Sequence, residues 1–152
     1  MGLCMQLRSR KGALLAEGVA AMSILLPLLI VVLFVAIEAS HAYLIKSSLS
    51  EAAREASRGL AVEYGKNPAI ATDRSMQDSR VFDRVRINNM VASSAQFDNP
   101  VFQTSSDPPT VSVRVQYTGG QHGLPPFPNP DPLKMGDSLI IAGHAAYRLV
   151  GM

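Results

Sequence analysis

The sequence predicts an α+β fold with a long amino-terminal helix, a second helix, and a small antiparallel β-hairpin or sheet packed on them. Three observations support this prediction. Residues 18–37 form an unbroken uncharged run, apolar residues then recur at helical spacing, and residues 110–118 alternate between apolar and polar. The chain has 152 residues, which suits one modest domain beyond the first helix.

The first helix combines two apolar patterns. At helical rise, residues 18–37 match the roughly 30 Å hydrocarbon thickness of a bilayer, so we predict a single membrane span there. Beyond the span, one apolar stripe continues at spacings of three and four. Glycine and proline then end the pattern, and the predicted helix covers residues 13–64. The stripe consists of Ala42, Ile45, Leu49, Ala52, Ala56 and Leu60.

Residues 65–152 are predicted to form a small exported domain. Residues 65–74 are predicted to be a turn. A second helix should follow from Met76 to about Gln96, with Ser75 as its capping residue.

Two strands are predicted in this domain, over residues 110–118 and 139–150, with Gly143 as a β-bulge. Residues 98–109 and 119–137 are rich in turn-forming residues and resemble linkers. The two strands should pair antiparallel, with their apolar faces against the first helix. Those faces are Val111, Val113, Val115 and Tyr117 in the first strand, and Leu139, Ile141, Ala145, Tyr147 and Leu149 in the second.

The basic excess of the chain lies at its amino terminus. Arg8, Arg10 and Lys11 precede the apolar run, and residues 1–12 contain no acidic side chain. Removing this segment changes the formal net charge from +2 to −1, so the charge pattern does not indicate a nucleic-acid partner. Cations before a span favour a cytoplasmic amino terminus, which predicts that residues 65–152 are exported.

The apolar run itself is open to three interpretations: a secretory signal, an uncleaved anchor, or a prepilin-type signal. It is longer than a secretory signal requires, although Ser40-His41-Ala42 offers a weak cleavage site beyond it. An uncleaved anchor requires only the cations and the apolar run.

A prepilin-type signal has a short basic leader, a glycine, four small or apolar residues, and a glutamate. Gly12, Ala13 and Glu17 occupy those places, so residues 1–12 are predicted to be a leader removed by a prepilin peptidase that cuts after Gly12. Glycine before the cut leaves an extended backbone unobstructed in a protease cleft. A carboxylate at Glu17, near the start of a helix beginning at Ala13, would be stabilised by the helix dipole, by about 0.3–1 kcal/mol. The alternative is that Glu17 only caps an anchor helix.

Pro27 lies in the middle of the predicted span. Proline removes a helical hydrogen bond and kinks the axis, which membrane helices tolerate. Pro27 is therefore either a simple bend or a weak point at which the helix partly melts when a subunit leaves the bilayer.

No pattern typical of catalysis or metal binding occurs in the sequence. His41, His122 and His144 are far apart, and no phosphate loop, nucleophile elbow or zinc-ligand spacing is present. We therefore expect no enzyme activity, no cofactor and no metal. The single cysteine, Cys4, lies in the predicted leader, so the exported domain has no disulfide available.

The span and the helix beyond it resemble a known family. The run PLLIVVLFVAIE, from Pro27 to Glu38, is followed by HAYL at 41–44 and AAREASR at 52–58. This pattern is similar to that of the TadE/TadF-like pseudopilins of tight-adherence (Tad) pilus systems. Glu17 lies ten residues before the proline, farther than in the family pattern.

The resemblance implies a minor pseudopilin, a structural subunit that assembles or primes a Tad-like type IV pilus or a related secretion filament. Its implied partners are a prepilin peptidase, other pilin or pseudopilin subunits, the pilus assembly platform and membrane lipid, with no nucleic acid. The implied location is the bacterial inner membrane, with the carboxyl-terminal domain periplasmic and incorporation into a pilus as a further outcome. In this family Glu17 would pair with the terminal amine of a neighbouring subunit. An uncleaved single-pass scaffold of an envelope complex is the alternative.

Overall fold

The computed structural model describes residues 3–88, 91–119, 121 and 140–149, with side chains described from residue 16 onward, except for that of residue 88. Within these ranges the fold is α+β, as predicted. It contains one long helix, a short second helical segment and a three-stranded antiparallel sheet.

Helix α1 runs from Leu3 to Lys66, so it begins ten residues before the predicted helix of 13–64 and ends two residues later. The earlier start agrees with local helix propensity. Residues 3–11 are rich in leucine, methionine, glutamine, arginine and lysine, which all favour helices. Contacts divide the chain into two compact units, residues 1–40 and residues 41–152.

The predicted turn after α1 contains a short 3₁₀ helix, Pro68–Ala71. Asn67 caps it, since its side-chain oxygen accepts a hydrogen bond from the backbone N–H of Ala69 at 3.0 Å. Proline at the first helical position is favoured because it has no N–H to leave unpaired.

The second helical segment begins earlier than predicted. Its cap is Asp73 rather than Ser75, and the Asp73 carboxylate accepts a hydrogen bond from the Met76 N–H at 3.2 Å. Asp and Ser are comparable capping residues, so the sequence alone did not decide between them. The segment comprises helix α2 (Arg74–Gln77), a π-helical turn (Asp78–Phe82) and helix α3 (Asp83–Asn88).

The predicted end of this helix at Gln96 is wrong. Helix α3 ends at Asn88, and a separate 3₁₀ helix, Ser94–Gln96, follows. Ser93 has extended backbone geometry (φ −148°, ψ 145°) and forms a reciprocal capping box with Gln96. A new helix start therefore lies where the apolar pattern predicted a continuous helix.

The sheet has the order β1-β2-β3, and both neighbouring pairs are antiparallel. Strand β2 (Thr110–Thr118) has the predicted bounds, and β3 (Ile140–Arg148) lies within the predicted 139–150. Strand β1 (Val101–Gln103) lies in a segment predicted to be a linker, since three residues are too few for a recognisable alternation. The predicted loop at 119–137 lies mostly outside the described residues.

The core lies between the second part of α1, the second helical segment and the sheet. The predicted helix stripe is confirmed, because Leu49, Ala52, Ala56 and Leu60 are buried, while Ala42 and Ile45 pack partly buried against the core. Phe82 from the π turn stacks on Phe97, with ring centroids 4.5 Å apart. The four predicted β2 residues are also buried, namely Val111, Val113, Val115 and Tyr117.

The prediction for strand β3 was wrong at two residues, Gly143 and Tyr147. Gly143 is not a bulge, because it pairs in regular register with Val115. A Cβ atom there would lie 2.4 Å from the carbonyl carbon of Leu49 and 2.5 Å from the backbone nitrogen of Ser50. The glycine therefore allows β3 to approach the α1 backbone directly. Tyr147, predicted on the apolar face, is 41% exposed.

Candidate processing and assembly segment

The apolar segment, residues 18–37, lies wholly within α1, and its described side chains are exposed. Leucine, isoleucine and valine side chains there are between 50% and 74% exposed. The Ser23 hydroxyl donates to the Ala20 carbonyl at 2.8 Å, so this polar group is satisfied within the helix. Among the described residues, α1 is the one helix long and apolar enough to cross a membrane. It fits a single-pass membrane anchor.

Pro27 stands inside α1 with helix on both sides. Because proline has no N–H, the carbonyl of Ser23 loses its helical hydrogen-bond partner. The backbone hydrogen-bond ladder is therefore interrupted in the middle of the apolar segment. The bend and the melting hypotheses for Pro27 both remain predictions.

The predicted processing residues, Gly12 and Ala13, lie on continuous helix, as do the leader cations Arg8, Arg10 and Lys11. The side chains of these five residues are outside the described set. The bond that a peptidase would cut is thus helical in the full chain.

Glu17 is exposed and lies well inside α1 rather than in its first turn, since α1 begins at Leu3. The favourable dipole interaction expected for Glu17 falls off beyond the first turn. It therefore applies only to a chain that begins at Ala13. Glu38, after the apolar segment, is half-buried, and its Oε2 atom has no hydrogen-bond partner among the described residues.

The domain carries an ion-pair network that sequence reasoning missed. The carboxylate of Glu63 accepts from Lys66 Nζ at 2.7 Å and from Arg80 Nη1 at 3.3 Å. The hydrogen bond from Lys66 is the main cause that lowers the pKa of Glu63 below its ordinary value of 4.5. Lys66 lies one turn away in sequence, a detectable spacing, but Arg80 comes from the second helical segment.

Arg74 is a second residue that the sequence did not reveal. Its guanidinium donates to the carbonyls of Ser94 and Phe97 at 3.1 and 3.0 Å, and pairs with Asp78 at 2.9 Å. The same group lies 4.8 Å from the centroid of the Phe82 ring. Arg74 therefore links the 3₁₀ helix Ser94–Gln96 to the second helical segment. Ser94 and Phe97 lie 20 and 23 positions after Arg74 in the sequence, so no local pattern marks them as its partners.

An open groove of about 340 Å³ lies between the end of α1 and the second helical segment. We call it the basic groove, because four cations and two carboxylates line it, giving a net charge of +2. Its charged residues are Arg58, Lys66, Arg80, Arg84, Glu55 and Glu63, and its remaining residues are Gly59, Val62, Val81 and Val85.

No group of His, Cys, Asp and Glu side chains that could hold a metal ion occurs in the described part of the chain.

Comparison with known proteins finds a family match within α1. Residues 18–58 match the family model described as TadE-like protein. No curated protein and no solved structure shows a significant match to the chain. The matched residues include the apolar segment and most of the part of α1 that packs in the domain core. The resemblance predicted from the span and the AAREASR segment is confirmed: residues 18–58 of α1 are a TadE-like region.

Proposed function

We propose that this protein is a minor pseudopilin, a structural subunit that assembles or primes a Tad-like type IV pilus or a related secretion filament. The observation that carries the proposal is the TadE-like region of α1, which combines an exposed apolar segment with a packed helix beyond it. Proteins of this family are structural rather than catalytic, so the proposed role requires no catalytic group.

The proposed maturation is removal of residues 1–12 by a prepilin peptidase that cuts after Gly12. Its support is the basic leader, the glycine and the glutamate five residues later. Cutting there would place Glu17 near a new helix start, where its carboxylate meets unpaired N–H groups and the positive end of the helix dipole. The new amine of Ala13 would also be available to a neighbouring subunit.

The proposed topology is a single pass through the inner membrane, with a cytoplasmic amino terminus and a periplasmic domain. Arg8, Arg10 and Lys11 support this orientation through the positive-inside rule. The proposed partners are other pilin or pseudopilin subunits and the assembly platform. An apolar helix face that has left lipid must be covered, and neighbouring subunits would cover it.

The alternative function is an uncleaved membrane scaffold of an envelope complex, and one observation favours it. Helix α1 continues through the bond between Gly12 and Ala13. A peptidase that binds an extended chain would have to unwind that turn first.

Intact mass and amino-terminal sequencing of the protein from cells with and without the prepilin peptidase separate the two functions. We expect a chain beginning at Ala13 in the presence of the peptidase and a longer chain in its absence. A chain beginning at Met1 in both strains would reject maturation and favour the scaffold.

Gly12→Phe tests the assigned cut, and Gly18→Phe, six residues further on, is its control. The first should leave the longer chain, while the second should be processed normally. Normal processing of Gly12→Phe would contradict the assigned cut.

A further inference from the structure

The basic groove contains more positive charge than its own carboxylates balance. Glu63 is shared by Lys66 and Arg80. Arg58 and Arg84 are exposed and form no ion pair with any residue in the described ranges. Two guanidinium groups of the groove therefore have no carboxylate at ion-pair distance in the described ranges.

The floor of the groove is apolar. Val62 is 46% exposed there, whereas Val81 is buried beside it. Gly59 lets the two helices come close, because a Cβ atom on it would lie 2.9 Å from Cγ1 of Val81. A guanidinium group binds a carboxylate in bidentate geometry. Covering the exposed Val62 side chain would remove apolar surface from water, which is favourable.

Together, these features match an amphipathic segment with carboxylates beside an apolar side chain. We propose that the basic groove docks an acidic amphipathic segment of a different protein, whose carboxylates bind Arg58 and Arg84 while an apolar side chain covers Val62. The inference does not depend on maturation after Gly12.

Several carboxylates of a second copy of this chain are less available to the groove, because cations already lie beside them. The pairs are Asp78 with Arg74 at 2.9 Å, Asp83 with Arg86 at 3.9 Å and Asp98 with Arg114 at 3.7 Å.

The family match does not account for the groove. Arg58 is the last residue of the matched range, and the other three cations lie beyond it.

In-cell photocrosslinking of the full chain in its own membrane tests the proposal. Benzoylphenylalanine replaces Val62 in one variant. In a control variant it replaces Val101, which is 53% exposed on β1. The crosslinked peptides are identified by mass spectrometry. We expect Val62, but not Val101, to crosslink to another protein within a stretch rich in Asp or Glu.

The paired change Arg58→Glu and Arg84→Glu should lower that crosslink yield about tenfold or more, since charge-assisted hydrogen bonds would become repulsive. Lys46→Glu with Arg148→Glu makes the same change in net charge away from the groove and should leave the yield intact. Equal thermal unfolding of both variants shows that the fold is kept.

The mapped stretch, made as a synthetic peptide, should bind the full chain in nanodiscs of zwitterionic lipid, and salt should weaken the binding. The same peptide with glutamine for glutamate should not bind. A crosslink to a second copy, to lipid or to a stretch without acidic residues would overturn the proposal. So would no crosslink at Val62, or a yield unchanged by reversal at Arg58 and Arg84.

Discussion

The two parts of α1 place their apolar side chains in different surroundings. In the apolar segment the large side chains are exposed, for example Ile24 at 74% and Leu28 at 62%. Beyond it, Ala52, Ala53 and Ala56 are completely buried against the rest of the domain. One part of the helix packs in the core of the domain, and the other part has its large apolar side chains exposed among the described residues.

This difference explains how one helix can serve two purposes. Small side chains let the sheet approach the helix closely, and the described core packs around them. Large exposed side chains would cost about 25 cal/mol for each Å² left in water, which favours lipid or other helices around them. Substitutions in the domain should therefore change its unfolding, while matched substitutions in the apolar segment should not.

The largest effect is expected for Phe82→Ala. Phe82 is fully buried and stacks on Phe97, so truncation should lower the free energy of unfolding by about 3–5 kcal/mol. The measurement is urea unfolding of the full chain in detergent micelles. Leu28→Ala is the control, and an equal loss in that variant would show that both parts of α1 unfold as one unit.

Gly143→Ala should come next, at about 2–3 kcal/mol. The added Cβ meets backbone atoms of Leu49 and Ser50, which cannot move as a side chain would. Gly18→Ala makes the same change where nothing lies within 4 Å, so it should leave unfolding unchanged. If the two variants unfold alike in the same assay, the close approach of β3 to α1 does not stabilise the domain.

Asp73→Ala should lower stability by about 1 kcal/mol, because the Met76 N–H at the start of α2 loses its acceptor. Glu17→Ala removes a carboxylate from the interior of α1 and should not affect domain unfolding. Thermal unfolding followed by circular dichroism measures both. A normal melting temperature for Asp73→Ala would mean that water or another group replaces the cap.

The smallest effect is a dependence of stability on pH. Because its pKa is lowered in the folded state, Glu63 stabilises the domain fully above its ordinary pKa of 4.5. That contribution is lost as pH falls through the lowered folded value. The urea midpoint should therefore drop less on acidification in Glu63→Gln than in the unchanged chain. Glu51→Gln should behave like the unchanged chain, and identical pH profiles for all three would exclude the Glu63 network as a source of stability.

The sequence predicted those elements whose pattern is local. Strand β2 was located to the residue because nine residues alternate, whereas the three residues of β1 gave no pattern. Gly143 was misinterpreted because a strand glycine suits either a bulge or a close approach, and only the packing decides.

The two candidate sites, the processing segment and the basic groove, also differ in whether their residues are neighbours in sequence. The pattern from Gly12 to Glu17 is contiguous, so the processing hypothesis came from the sequence alone. The basic groove joins Arg58 on α1 with Arg84 on the second helical segment, and their proximity depends on how two helices pack. Such long-range pairing leaves no periodicity in the sequence.

The π-helical turn explains why the apolar stripe of the second helical segment is irregular. Val81, Phe82 and Val85 follow the buried Gln77 by four, five and eight positions. With one residue fewer they would follow it by three, four and seven, the spacing of a single α-helical face. The turn thus absorbs one surplus residue while both flanks keep their contacts. Deleting the exposed Ser79 should consequently be tolerated, because a segment one residue shorter would keep the same apolar face on the core as a regular α-helix.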